Sequence, residues 1–271
     1  MEDIVEAKKH ITIWRFFAYF IIYSVLGCVI ETIFGFLIFG VIESRQSFMY
    51  GPFCAIYGVG ASVMLVILQF FDKNNYMLFF SGCIVGSIVE YVVSWVGELW
   101  LDTRWWDYSD YFLNINGRVC FVYAVLWGAL GVFLVKVINP KIDKMIDWVK
   151  GKISHKVLKI TVLIFIIGMI LDCLYSAAAE EWVLTKVSVE KNLDIKNFEE
   201  TKQKYDKVYS NEEYKKFVDK YWTVEKVLYS YPNITKQLEN GKRVYIKRLY
   251  PEIHPYLIKV KPEGERTIYD P

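Results

Sequence analysis

Residues that bind metals are scarce in this sequence. The 271 residues include only three histidines, which are far apart in the chain. The five cysteines all fall in apolar stretches, and no two have the spacing C-x-x-C. A zinc site or a secreted disulfide framework would need closely spaced pairs in polar segments. We therefore predict no metal site, and we expect the cysteines to be small buried hydrophobic residues.

The sequence also lacks the common nucleotide and catalytic motifs. It contains no G-x-x-x-x-G-K-[ST] phosphate loop, no H-E-x-x-H and no G-x-S-x-G. Its 32 basic and 30 acidic residues nearly balance, and the lysines of the C-terminal part alternate with acids instead of forming a cationic face. We predict that the chain is not an enzyme, carries no cofactor and binds no nucleic acid.

Apolar residues are abundant, at 54% of the chain, against about 45–50% in an ordinary soluble domain. The excess lies in residues 13–181, between a short segment 1–12 and a polar part 182–271. A helix that crosses a bilayer needs about 20 mostly apolar residues. Five stretches qualify, which predicts an all-α polytopic membrane protein with five transmembrane helices: 14–42, 52–71, 76–100, 119–138 and 158–179.

The orientation follows from basic residues in the short connections, which stay in the cytoplasm. Lys8, Lys9 and Arg15 flank the first stretch, and the connection between the fourth and fifth stretches is the most basic of all. Both are predicted to be cytoplasmic, because four crossings return the chain to its starting side. The connections 43–51 and 101–118 and the C-terminal part are then extracytoplasmic. The basic connection contains Lys136, Lys141, Lys144, Lys150, Lys152, Lys156 and Lys159.

Two parts of the chain share a pattern that indicates an internal duplication. Each has G-x-x-x-E in an apolar stretch, ending at Glu31 or Glu90, then a polar connection and a G-x-x-C-x-x-Y block. Both units run helix, outer connection, helix, which predicts a parallel repeat of about 14–71 and 76–138. Chance similarity between apolar segments is the alternative. The two blocks contain Gly51, Cys54 and Tyr57, and Gly117, Cys120 and Tyr123.

Three acids are predicted to lie near the middle of the bilayer. Glu31 lies about 10 residues, or roughly 15 Å, from the outer end of its stretch. Glu90 and Asp172 lie at similar depths, and Glu98 follows Glu90 towards the outer surface on the same helix face. Membrane acids normally face a bundle interior or a water cavity. One interpretation is a site for a cation, a proton or an amine; the other is interhelical packing, including pairing with Arg118.

The connection 101–118 is the least generic segment. It interleaves aromatic residues with charged residues and amides. Tryptophan and tyrosine are common anchors at membrane interfaces, and that is one interpretation. The other is a folded outer gate over the acidic site, formed by Arg104, Trp105, Trp106, Asp107, Tyr108, Asn116 and Arg118.

The polar part 182–271 has the periodicity of a small folded domain. Apolar residues recur at helical spacing in 195–208 and 212–229. Prolines follow, and short stretches at 244–249 and 256–260 are predicted strands. We expect a small α-rich extracytoplasmic appendage that binds a partner or covers the membrane domain.

Several of these motifs together resemble one bacterial membrane-protein family. They are G-x-x-x-E at 27–31, YGPFCAIYG at 50–58, EY at 90–91, RWWDYS at 104–109 and NGRVC at 116–120. The chain resembles the putative ABC transporter permeases of the CmpB-like, type IV family over about residues 13–140. It departs from the family pattern at Ala55, where we expect proline, which affects only a local bend.

The resemblance implies a multi-pass protein of the bacterial plasma membrane with a transport role. Its expected partners are membrane lipid, a separate ATPase subunit and further copies of the chain, since no ATP-binding motif is present. In the first hypothesis the chain is a permease component with a buried acidic site. The alternatives are a non-transporting scaffold or sensor whose tail binds an envelope partner and, third, an intramembrane enzyme acting on a lipid-linked substrate.

Overall fold

A computed structural model describes residues 11–101 and 106–260. Most of the segment 1–12 and the gate residues Arg104 and Trp105 lie outside these ranges. Within them the chain is mostly helical, in agreement with the predicted all-α class. Among the described residues, four helices are long and apolar enough to cross a membrane.

The first helical pair consists of α1 (Ile13–Phe39) and α2 (Ala55–Leu68). No proline interrupts the hydrogen bonds of α1 over its 27 residues. The helix ends at Gly40, whose left-handed conformation (φ 69°) allows its N–H to bond the Phe36 carbonyl. The strand β1 (Val41–Ile42) and an irregular connection then lead to α2.

The second apolar stretch forms a shorter helix than its length suggested. α2 has 14 residues, which corresponds to about 21 Å, whereas the hydrocarbon core of a bilayer is about 30 Å thick. Residues 52–54 and 69–71 of that stretch are loop and turn. They are apolar but not helical, a distinction that hydropathy does not make.

The second helical pair consists of α3 (Asn75–Leu101) and α4 (Phe121–Phe133). α4 continues through a π turn (Leu134–Ile138) into α5 (Asn139–Lys152). Pro140 has no N–H and cannot make the regular i to i−4 bond, which accounts for the wider turn before it. The predicted basic connection is therefore largely helical.

α6 (His155–Glu190) has 36 residues and extends well past the predicted end of the fifth span. The predicted domain boundary at 181–182 consequently falls inside one helix. Beyond it, Trp182, Val183 and Val187 pack against Val227 and Leu228 in the C-terminal core. The change in composition marks where the surroundings become polar, and the helix itself continues because helical spacing of apolar residues persists.

After α6, the part of the C-terminal domain up to residue 260 contains three short helices: α7 (Phe198–Tyr209), α8 (Glu212–Tyr221) and α9 (Val224–Ser230). The single helix predicted over 212–229 is two helices, because the Thr223 hydroxyl accepts a hydrogen bond from the Lys226 N–H (3.2 Å) and starts α9. β2 (Thr235–Gln237) pairs with β3 (Arg243–Tyr245). The rest of the predicted strand 244–249 is a 3-10 turn.

The C-terminal domain is attached to the connection between α1 and α2. Its last strand, β4 (Ile258–Lys259), pairs antiparallel with β1. The Tyr231 hydroxyl donates to the Ser47 carbonyl at 3.3 Å, and the Asn233 amide donates to Glu43 at 2.8 Å. This domain and the first connection therefore lie on the same side of the helical layer.

At the opposite side, the start of α1 is bound to α5. Buried Arg15 donates from Nε to Asp143 at 3.1 Å and to the Tyr19 hydroxyl at 2.9 Å. Asp147 lies 3.5 Å from the same guanidinium. The acids of α5 thus neutralise the one buried cation of α1, which positions α5 beside the N-terminal end of the bundle.

Candidate functional site

Glu31 lies on α1 and accepts a hydrogen bond from α2. The Tyr57 hydroxyl donates to Glu31 Oε1 at 2.5 Å. Gly27, one turn earlier, allows this approach: a Cβ at position 27 would lie 2.3 Å from the Tyr57 Cβ. Glu31 is partly exposed. Among residues 11–101 and 106–260, its second oxygen has no hydrogen-bond partner.

Glu90 lies on α3 and accepts two hydrogen bonds. The Trp127 indole N–H donates to Oε2 and the Tyr108 hydroxyl donates to Oε1, each at 3.1 Å. A Cβ at Gly86, one turn earlier, would lie 2.5 Å from the Trp127 Cβ. Burial, followed by the nearby Glu90 carboxylate, raises the pKa of Tyr108, so its hydroxyl remains a donor. Glu90 is only 5% exposed.

An arginine approaches α1 one turn beyond Glu31. Arg45, from the connection between α1 and α2, lies over Gly35: a Cβ at position 35 would be 2.9 Å from its guanidinium. Arg45 pairs with Glu43 at 2.9 Å. Its Nε is buried and has no hydrogen-bond partner in the part of the chain that is described. The sequence did not identify Arg45. The available signal was Gly35, four positions after Glu31, because a residue without a side chain allows another group to pack closely against the helix.

A second arginine occupies the matching place in the other pair. Buried Arg118 donates to the Ser94 hydroxyl at 3.1 Å and pairs with Glu98. Ser94 follows Glu90 by four residues, as Gly35 follows Glu31. In the packing interpretation, pairing with Arg118 was one possibility for the acids; the acidic partner of Arg118 is Glu98, two turns beyond Glu90 on the same helix.

In each pair an aromatic residue of the second helix donates to the glutamate, with a shift of one helical turn between the two pairs. Tyr57 packs on Gly27 and donates to Glu31, and Trp127 packs on Gly86 and donates to Glu90. Tyr57 and Trp127 are 70 residues apart, whereas the cysteines that precede the helices are 66 apart. Tyr123, which the sequence pattern matches to Tyr57, stacks instead on Tyr108 with ring centroids 4.5 Å apart. The sequence reading did not identify Trp127.

Other residues of the predicted outer gate form hydrogen bonds within the connection between α3 and α4, and from that connection to α3. The Trp106 indole N–H donates to the Arg118 carbonyl at 2.9 Å. The Asn116 amide donates to the Tyr91 hydroxyl at 2.9 Å. Asp107 accepts a hydrogen bond from the backbone N–H two residues later at 3.0 Å. Together these bonds hold the connection between α3 and α4 in a folded form against the C-terminal half of α3.

Asp172 does not join the glutamates. Its carboxylate accepts from the Tyr50 N–H and the Ser176 hydroxyl, both at 3.1 Å. Ser176 in turn accepts from the Met49 N–H at 2.8 Å. In the described ranges no three His, Cys, Asp or Glu side chains lie close enough to hold a metal ion together. Asp172 fixes the first connection onto α6, and the expected cluster of three carboxylates does not form.

The G-x-x-C-x-x-Y blocks shape the turn into each second helix. Gly51 and Gly117 have φ angles of 77° and 65°, which glycine adopts without strain. Cys54 and Cys120 immediately precede α2 and α4 and are 7% and 2% exposed. The blocks are similar because both connections must turn and start a helix at the same point.

Two surface grooves lie away from the glutamates. One, of about 560 Å³, runs between the connection at Tyr50 and Phe53 and the middle of α6, with Asp172 at its edge. The other, of about 160 Å³, lies between α1, α5 and α6. Neither is lined by Glu31 or Glu90.

The paired helices coincide with a recognised family domain. The family described as Putative ABC-transporter type IV matches residues 18–177, which covers α1 to the middle of α6. No curated protein and no solved structure matches the chain. Since the match covers more than half of the 271 residues, the chain belongs to the family of putative type IV ABC transporters.

Proposed function

We propose that this chain is the permease component of an ABC transporter and that its two glutamate sites take part in moving a cation or proton. The observation that carries the proposal is the repeated arrangement around Glu31 and Glu90. Each acid has a glycine one turn before it, an aromatic donor from the partner helix and an arginine-contacted small residue one turn after it. A carboxylate within a bilayer costs at least a few kcal/mol, and packing alone does not require one in each pair.

The same arrangement supports a parallel duplication of a two-helix unit. In this proposal the pairs α1–α2 and α3–α4 are related by an axis along the membrane normal. Counted from the cysteine before each second helix, Trp127 lies one turn farther along α4 than Tyr57 lies along α2. The second connection is also longer than the first. Substrate sites of duplicated carriers lie between such units.

We propose five membrane crossings, with α2 as a short one, a cytoplasmic N-terminus and an extracytoplasmic C-terminal domain. The attachment of that domain to the first connection supports this placement, because both are then outside. The contact of Arg15 with Asp143 supports a shared cytoplasmic side for the N-terminus and α5. The long exposed apolar faces of the helices are suited to lipid.

The proposed complex includes a separate ATPase subunit, and further copies of the chain are a second proposed partner. The sequence has no phosphate-loop motif of its own. We propose that the chain catalyses no reaction itself and is located in the bacterial plasma membrane, as the permease role requires.

Proton movement through the purified chain tests this proposal. The full-length protein is reconstituted into liposomes that contain a pH-sensitive dye, and a potassium-diffusion potential is imposed. The double variant Glu31→Gln/Glu90→Gln should reduce flux to that of empty liposomes, whereas Glu225→Gln, an exposed acid on α9, should not. Equal flux in all three proteins would exclude the glutamates from transport.

Cysteine labelling tests the orientation. Ser210→Cys adds a thiol between α7 and α8, and Gly151→Cys adds one on α5, where a Cβ meets no atom within 4 Å. An impermeant maleimide should label the first variant in intact cells and the second only after permeabilisation, each measured against the unmodified protein. The reverse pattern would overturn the proposed topology.

A scaffold or sensor is the second candidate function. It is favoured by the C-terminal domain, which presents exposed aromatic residues at Tyr214, Tyr221 and Tyr229. In that case the glutamates only stabilise packing, and the double glutamine variant would lose thermal stability while no flux is seen even in the unmodified protein.

A further inference from the structure

We propose that α8 of the C-terminal domain lies in the headgroup layer of the membrane, where its partner is phospholipid. The contact surface is a series of aromatic rings that runs from α6 to α8 and ends at two lysines. The proposal requires that α6 crosses the membrane, as proposed above. It depends neither on transport nor on which side of the membrane the C-terminal domain occupies.

Five aromatic side chains form a continuous series from the first connection, across α6, to the end of α8. Neighbouring ring centroids lie between 5.0 and 5.7 Å apart. Three of the five side chains are exposed and two are partly buried, so the series is a surface feature and not a part of the core. In order, its members are Tyr50, Tyr175, Trp222, Phe217 and Tyr221.

The contact between Tyr175 and Trp222 fixes the height of α8 relative to the membrane. Tyr175 lies four residues before Ala179, the last residue of the apolar stretch, which corresponds to about 6 Å along the helix. Leu171 and Leu174, just before Tyr175 on α6, are 62% and 65% exposed, as expected for side chains that face lipid. Because a residue of the polar domain contacts a side chain within the apolar stretch, the end of α8 lies at the boundary between hydrocarbon and headgroups.

α8 has one side for the protein core and another for its surroundings. Val218 is buried in the C-terminal core. Tyr214, Phe217 and Tyr221 recur at spacings of three and four residues, which places them along one side of the helix. All three are exposed. Aromatic residues, tyrosine above all, are enriched at the headgroup level of a membrane because one end of the ring is apolar and the other is polar.

Two lysines lie at the end of this aromatic side. The Lys220 ammonium is 4.9 Å from the centre of the Tyr221 ring, and the Lys226 ammonium is 5.7 Å from it. Lys226 Nζ also donates to the Lys220 carbonyl at 2.6 Å. Lysine is depleted in interfaces between proteins, where aromatic residues are enriched, whereas both are typical of helices that lie in a membrane surface. The combination therefore favours lipid over a protein partner.

Fluorescence quenching in nanodiscs tests the proposal on the full-length protein. Lys220→Cys carries a bimane label and leaves all five rings of the series in place. Lys242→Cys is the matched control, because it also replaces an exposed lysine, in the hairpin of β2 and β3. That hairpin is bonded to Asp194, beyond the far end of α6, through the Glu239 N–H at 2.8 Å. Cys173, an exposed native thiol, is replaced by serine in both variants, and the unlabelled positions are corrected for with the same protein without an added cysteine.

The nanodiscs contain phosphatidylcholine, with or without a lipid that has a nitroxide on its headgroup. We expect the lipid nitroxide to quench the label at position 220 several-fold more than the label at position 242. Aqueous iodide should show the opposite preference, because a label within the headgroup layer is shielded from an anion in water. The two quenchers together distinguish a label that lies in the layer from one that is only near it.

Equal quenching of both labels by the lipid nitroxide, or strong iodide quenching at position 220, would overturn the proposal. Protection of position 220 from iodide without quenching by lipid would overturn it as well, and would show that protein covers α8. If Lys220→Cys does not fold, Tyr221→Cys provides the same measurement at the adjacent position. The expected quenching without any flux in liposomes would refute the transport function and leave the contact of α8 with lipid intact.

Discussion

Tyr57 and Glu31 connect α1 to α2 through a hydrogen bond of 2.5 Å between the tyrosine hydroxyl and Oε1. Trp127 makes the corresponding bond to Glu90 between α3 and α4. In both pairs the hydrogen bond from the second helix to the glutamate comes from an aromatic residue and not from an arginine. The arginines act one turn farther out, where each has an acidic partner of its own.

Removal of the tyrosine hydroxyl should weaken the first helical pair. Tyr57→Phe keeps the ring that packs on Gly27 but deletes the donor to a carboxylate, a loss of about 1.5–3 kcal/mol. We expect a lower thermal midpoint in detergent. Tyr76→Phe is the matched control, since Tyr76 is 80% exposed. Equal midpoints for both variants would contradict the role of this bond.

The glycines beneath the aromatic residues should tolerate no side chain. Gly27→Ala and Gly86→Ala would place a methyl group within 2.3 Å and 2.5 Å of the Cβ atoms of Tyr57 and Trp127, so the helices must separate at a cost of about 1–3 kcal/mol. Gly60→Ala, with no atom within 4 Å of the new Cβ, is the control. Thermal unfolding in detergent should distinguish them, and a stable Gly27→Ala would argue against the close contact.

Arg118 should contribute more to stability than an exposed cation does. Arg118→Met removes the hydrogen bond to the Ser94 hydroxyl and the ion pair with Glu98, and we expect a loss of about 1.5–3 kcal/mol. Lys204→Met removes a pair with Glu200 whose side chains are both more than half exposed, for which the loss is at most about 1 kcal/mol. Similar midpoints for the two variants would mean that the Arg118 contacts are not formed.

Loss of Asp172 should release the first connection from α6. Asp172→Ala removes the acceptor of the Tyr50 N–H, so tryptic cleavage after Arg45 should become faster in the purified protein, as followed by mass spectrometry. Asp206→Ala, on the exposed face of α7, is the control. An unchanged cleavage rate in Asp172→Ala would contradict this role of Asp172.

The sequence predicted the helical class correctly, but the ends of several helices differ. Four of the described helices, against five predicted spans, are long and apolar enough to cross a membrane. α2 is shorter than its apolar stretch, and α6 continues past the predicted boundary into the C-terminal domain. Hydropathy identifies residues that avoid water, but an apolar loop and an apolar helix have the same hydropathy. Strand β4 was predicted, but its pairing with β1 is a long-range contact that local pattern does not encode.

The glutamates and the glycines before them were visible in the sequence, because G-x-x-x-E places both residues on one helix face. Their partners were not. Trp127 is one turn away from the position that the repeat pattern indicated, and Arg45 lies in an irregular connection with no periodicity. Asp172 was assigned to the glutamates on depth alone, which does not fix the direction in which a side chain points.

The sequence alone determined that the chain is helical and apolar, has two similar segments and contains acids where an apolar helix should have none. These properties depend on local composition and spacing, which the chain carries whatever its fold. Only the tertiary structure decided which donors reach which acid, since that depends on the register between helices. The register between helices placed Tyr57 beside Glu31 and Trp127 beside Glu90, and the connection between α3 and α4 brought Tyr108 to Glu90 as a second donor.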